Sequence, residues 1–92
     1  MSWTIVAGPR FDGDLADLPP KVRSRVEEFV LLSLPAIENP FALRNLAKLK
    51  GYQGFYKVQF GTYRLGLQLD GQRKIIHLLR VMHGRDIYRH FP

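Results

Sequence analysis

The chain has 92 residues, 46% of them hydrophobic, with no cysteine and a net charge of +6. That length gives one domain with one modest core, and the absent cysteines exclude disulfides, thiolate metal sites and a thiol nucleophile. No apolar run approaches the roughly 20 residues of a membrane span. The opening Met1-Ser2-Trp3-Thr4-Ile5 has neither the basic start nor the apolar stretch of a signal peptide, so a cytoplasmic protein without membrane association is expected. The charge is uneven. Residues 1–46 hold five basic and six acidic groups, whereas residues 47–92 hold nine basic groups against Asp70 and Asp86. The second half is therefore where a polyanionic partner is expected.

Trp3, Ile5 and Ala7 alternate with Ser2, Thr4 and Val6, a short strand ended by Gly8-Pro9. Phe11, Leu15 and Leu18 fall at helical spacing, and Pro19-Pro20 stops that helix. Val22, Val26, Phe29 and Val30 make a second amphipathic helix closed by Pro35, the two forming a hairpin across a sheet. Asn39-Pro40 reads as a third helix start, because Asn caps free amides and proline suits the first helical position. Leu43, Leu46 and Ala47 supply its apolar face, and it runs out through Lys48-Leu49-Lys50 into the loop Gly51-Tyr52-Gln53-Gly54.

From Phe55 the period changes to two. Tyr56, Val58 and Phe60 alternate with Lys57 and Gln59; Gly61-Thr62 is a hairpin turn; Tyr63, Leu65, Leu67 and Leu69 alternate with Arg64, Gly66 and Gln68. Asp70-Gly71 is a second turn. The nearly continuous apolar run from Lys74 to Met82 is a strand covered on both faces, and Asp86 to Phe91 a short final helix. The expected fold is a small single α+β domain over residues 1–92. An N-terminal strand and a helical hairpin pack on a mainly antiparallel sheet of about four strands, with a short C-terminal helix.

With Gly61 and Thr62 as loop residues, Phe60 opposes Tyr63, Gln59 opposes Arg64, Val58 opposes Leu65 and Lys57 opposes Gly66. One face is then core. The other collects Lys57, Gln59, Arg64, Gly66 and Gln68, with a hollow over Gly66 beside two cations. A one-residue slip would bury the charges, so the faces are strongly specified.

In order and spacing, Asn39-Pro40, Lys48-Leu49-Lys50-Gly51, Tyr56-Lys57-Val58, Gly61-Thr62-Tyr63-Arg64-Leu65 and His83-Gly84-Arg85-Asp86-Ile87-Tyr88-Arg89 resemble the RelE/ParE toxin superfamily of bacterial toxin–antitoxin systems. The resemblance implies a β-α-α-β-β-β domain with a short C-terminal helix. It also implies a cognate antitoxin partner. For RelE-type members it implies ribosome-dependent mRNA cleavage in the A site; for ParE-type members, poisoning of DNA gyrase. By position it implies catalytic roles for Lys57, Arg64, His83, Arg85 and Tyr88. Gln59 stands where RelE itself has a second basic residue. The surrounding RNA contacts are assigned to Gln59, Lys48, Lys50, Arg80 and Arg89.

The chemistry such a family performs explains the residue types. RNA can be cut by its own 2′-OH if a base takes the proton, cations stabilise the phosphate and an acid protonates the leaving oxygen. Arg64 can grip phosphate oxygens bidentately. Lys57 can act as base only if its pKa is lowered, and otherwise stabilises charge. His83 has a suitable ordinary pKa but can equally just end its strand. Arg85 suits phosphate, and Tyr88 offers an aromatic platform or a core anchor. No metal or other cofactor is called for. Three functions are weighed: an mRNA endonuclease acting on the ribosome, a gyrase inhibitor, and an RNA-binding relative without catalysis.

Overall fold

The computed structural model describes residues 3–92; Met1 and Ser2, the latter read into the first strand, lie outside the described residues. The chain forms β1 (Thr4–Ala7), α1 (Phe11–Ala16), α2 (Pro20–Glu28), β2 (Leu46–Lys48), β3 (Phe55–Phe60), β4 (Tyr63–Asp70), β5 (Ile75–His83) and α3 (Gly84–His90). The strands make one sheet in the order β1-β5-β4-β3-β2. Only the β1–β5 pair is parallel. Among the described residues no helix is long and apolar enough to cross a membrane.

Five strands stand where about four were expected, and the extra one is β2. Asn39 does cap, its Oδ1 accepting from the Phe41 N–H at 3.1 Å, but Pro40–Ala42 completes a single 3₁₀ turn. Leu43 then extends with ψ 132°, and Leu46–Lys48 pairs antiparallel with Val58, Lys57 and Tyr56. The exposed edge of β3 offers unpaired backbone groups, and pairing with it overrides the local helical spacing.

The β3–β4 register matches the arithmetic at every pair, from Phe60 opposite Tyr63 to Lys57 opposite Gly66. Gly61, at φ +60°, supplies the left-handed residue that starts the turn. The core lies between the helices and one sheet face: Phe11, Leu18, Val26 and Leu34 meet Val58, Phe60, Leu65, Leu67, Leu69, Ile76, Leu78 and Val81. The second helix changes pitch after Glu28. Phe29–Ser33 is a π-helical turn whose Leu34 N–H reaches Phe29 O at 2.8 Å. The wider turn buries Leu34 yet leaves Leu31 and Leu32 69% and 68% exposed.

The opposite sheet face is only partly open. α3 folds back across it, burying Ile87 and Phe91 against Leu49, with Phe55, Leu79 and Met82 packed around them. This explains the two-sided apolar character of the later half of β5. It also removes the expected hollow: the Phe91 ring lies so close over Gly66 that a Cβ there would sit 2.7 Å from Phe91 Cδ1.

The register slips between Gly66 and Leu67, a bulge in the β4–β5 pair. Beside it Asp14 accepts from Arg80 Nε at 2.7 Å, Arg80 Nη2 at 3.1 Å and the Val81 N–H at 3.1 Å. The bulge thus carries a side-chain clamp from α1.

Candidate active site

Four of the expected residues meet on the face that α3 partly covers. Lys57 from β3 donates to the Tyr88 hydroxyl of α3 at 2.9 Å, its Nζ also 4.5 Å from the ring centroid. The hydrogen bond and the positive charge of Lys57, helped by Arg64, hold the Tyr88 phenol below its ordinary value. Tyr88 is 64% exposed, so the pair opens to solvent rather than into the core.

Arg64 and Gln59 oppose each other on the same face. Both donate to one acceptor, the Gly61 carbonyl, Gln59 through Nε2 at 3.2 Å and Arg64 through Nη1 at 2.8 Å. Arg64 Nη1 also reaches the Tyr63 carbonyl at 3.0 Å. Gln59 therefore braces the turn that holds the guanidinium. Gly84 closes the other side: its N–H donates to Thr62 O at 2.8 Å, and a Cβ there would lie 3.6 Å from Arg64 Cγ and Cζ. The missing side chain lets α3 start beside Arg64, which carries Tyr88 over Lys57.

The other expected residues divide. Arg85 and Arg89 sit one helical turn apart on α3, both exposed, on the side away from buried Ile87. Lys48 is exposed on β2, opposite Tyr56 and hence on the alternate side of the sheet from Lys57. Lys50 is exposed in the following loop.

Two expected residues stand apart from this group. The Arg80 guanidinium pairs with Asp14, with 16% of its side chain exposed. That hydrogen bond raises the Arg80 pKa against the opposing effect of burial. His83 lies opposite Tyr63, on the alternate side of the sheet from Arg64, with its ring 5.3 Å from the Tyr63 ring. Its Nδ1 accepts the Arg85 N–H at 3.2 Å and so caps α3. A pocket of about 290 Å³ surrounds it with Asp14, Asp17 and Asp86, as well as Arg85. Three carboxylates make that pocket a poor seat for phosphate. His83 positions α3 instead of joining the Lys57–Arg64–Tyr88 group.

Asp14 and Phe91 matter to this face and stand outside the expected set. The spacing of Asp14 from Phe11 and Leu18 puts it on the sheet-facing stripe. Phe91 was read as the end of a helix, not as the residue that fills the space over Gly66.

The chain and its fold have counterparts among known proteins. Residues 5–88 match the family model described as the ParE toxin of type II toxin–antitoxin systems. The chain belongs to the RelE/ParE toxin superfamily. It is 33% identical to toxin RelE3 of Methanocaldococcus jannaschii, over 96% of this chain and 98% of that protein. It is 35% identical to toxin RelG of Mycobacterium tuberculosis, over 97% and 99%. The RelE of a RelB–RelE antitoxin–toxin complex from Methanococcus jannaschii superposes with a TM-score of 0.76 at 28% identity, covering 95% of this chain and 99% of that one. Membership makes the protein a toxin of the type II toxin–antitoxin class.

Proposed function

We propose that this RelE/ParE toxin cleaves mRNA in the ribosomal A site. The observation that carries the reading is the contact of Lys57 with Tyr88 beside Arg64 on one exposed face, where the carboxylate of the strand pair, Asp70, stands at the far end of β4 and pairs with Arg73. Arg64 stabilises the charge that grows on the phosphate. The Lys57–Tyr88 pair handles the 2′ proton, since the lysine favours the ionised phenol. The 2′ oxygen attacks phosphorus as its proton passes to the pair, and the bond to the 5′ oxygen breaks as that oxygen takes a proton from water, leaving a 2′,3′-cyclic phosphate and a 5′ hydroxyl. Arg85 and Arg89 line the approach as phosphate contacts. Ribosomes programmed with mRNA are expected to yield A-site cuts with the wild-type chain and none with Arg64→Ala. Intact mRNA with the wild type overturns the reading.

A second reading is inhibition of DNA gyrase. It is favoured by the ParE family model and by Gln59 where a second cation would serve RNA chemistry. A supercoiling assay separates the two: inhibition without RNA cleavage supports this one.

A cognate antitoxin is the expected protein partner, as solved relatives are seen in antitoxin complexes. An apolar groove of about 450 Å³ between β1 and the helical hairpin, lined by Ile5, Phe11, Leu15, Val30 and Leu31, is the surface such a partner would cover. It lies on the helical side of the sheet, away from Lys57 and Tyr88.

A further inference from the structure

We propose that the β2–β3 loop is a second RNA contact, in which Tyr52 stacks on a base of the strand being cut while Lys50 engages its phosphates. This rests on the reading of the protein as an RNA-cleaving toxin. Residues 39–69 contain no Asp or Glu, yet hold Arg44, Lys48, Lys50, Lys57 and Arg64. Among the described residues the salt bridges are Arg73–Asp70 and Arg80–Asp14, and neither uses a lysine of this loop. Tyr52 is 52% exposed, two residues after Lys50.

The loop is stiff. Gly51 and Gly54 take φ of +85° and +87°, which other residues resist. The Tyr52 N–H donates to Leu49 O at 3.2 Å, Leu49 N to Phe55 O at 2.8 Å, and Leu69 N to Gly54 O at 3.0 Å. A ring held this way loses little freedom on binding. The loop also continues the candidate site. Its Leu49 is buried with Ile87 and Phe91 under α3, and the rings run from Tyr52 to Phe55 at 6.5 Å and from Phe55 to Phe91 at 5.8 Å. Phe55 and Lys57 share a sheet face two residues apart, about 7 Å along the strand. A single strand crossing Lys57 and Tyr88 meets Tyr52 a few nucleotides on. Protein partners bury apolar clusters, but here Leu49 is already buried and Phe55 is half-buried against it under α3. Unstacked bases and phosphates match an aromatic ring beside a lysine.

The test is fluorescence polarisation of labelled single-stranded RNA oligonucleotides of increasing length with the full chain. Tyr52→Ala is expected to weaken binding about fivefold or more for oligonucleotides long enough to reach the loop, and not for the shortest. Tyr52→Phe keeps wild-type affinity. Lys50→Gln lowers the slope of log affinity against log salt by about 0.7. The Tyr52 effect persists in an Arg64→Ala background, so a failure of cleavage and a failure of this proposal are read separately. Thermal melts check that the variants fold. Equal affinity of wild type and Tyr52→Ala at every length overturns the proposal. So does a loss confined to binding of ribosomes without mRNA or of an antitoxin.

Discussion

Gly66→Ala tests how α3 is held over the sheet. Alanine normally strengthens a strand interior relative to glycine, so the propensity term alone predicts stabilisation. The structure predicts the opposite. The new methyl carbon would lie 2.7 Å from Phe91 Cδ1 and 2.8 Å from Cγ and Cε1. Carbon pairs rest at about 3.5–4.0 Å, so roughly 1 Å must be found. Phe91 is 5% exposed and packed edge-on against Phe55, and its Cγ is the fixed root of the ring. The strain therefore passes to the end of α3. Overpacking of this kind costs about 1–3 kcal/mol. At about 4–8 °C per kcal/mol for a domain of this size, the Tm falls by roughly 5–20 °C. Tyr88 moves with α3, so its contact with Lys57 loosens and RNA cleavage falls with it. Phe91→Leu in the Gly66→Ala background should recover part of both losses. Circular-dichroism melts together with a cleavage assay make the check. A Gly66→Ala chain that melts at or above the wild-type temperature refutes the packing argument.

Asp14→Ala removes three hydrogen bonds and strands the Arg80 guanidinium, so a loss of roughly 3 kcal/mol is expected in urea unfolding. Lys57→Met should return the Tyr88 phenol toward its ordinary value, seen as a shift of the ultraviolet ionisation curve to higher pH. Because the folded-state value is the lower one, the stability Tyr88 adds is fully present above its unfolded value and is lost as pH falls through the folded value; near neutrality it adds none. Leu31→Asp with Leu32→Asp should leave stability within about 0.5 kcal/mol, as both are exposed, while weakening capture by an antitoxin.

Much of this fold is legible because alternation is a local signal. Lys57, Gln59 and Arg64 could be put on one face from Gly61-Thr62 alone, and the structure keeps that register. Leu46–Lys48 could not be read as a strand, since three residues carry no usable periodicity and their partner is an edge formed later in the chain. The same limit applies to the site. Lys57 and Tyr88 are 31 residues apart, and the resemblance brought them together where spacing could not. His83 and Arg80 stand apart from the Lys57–Arg64–Tyr88 group because a bulge and a clamp from α1 decide where the end of β5 points. Neither is written in the residues of β5 itself.

The central claim is that Arg64, Lys57 and Tyr88 form an RNA-cleaving site. Its most direct test is to map mRNA ends on programmed ribosomes exposed to the wild-type chain and to Arg64→Ala. A-site cuts by the wild type and a loss of at least about a hundredfold in rate for the variant are expected. Uncut mRNA with a folded wild-type chain, or equal cutting by both, would contradict it.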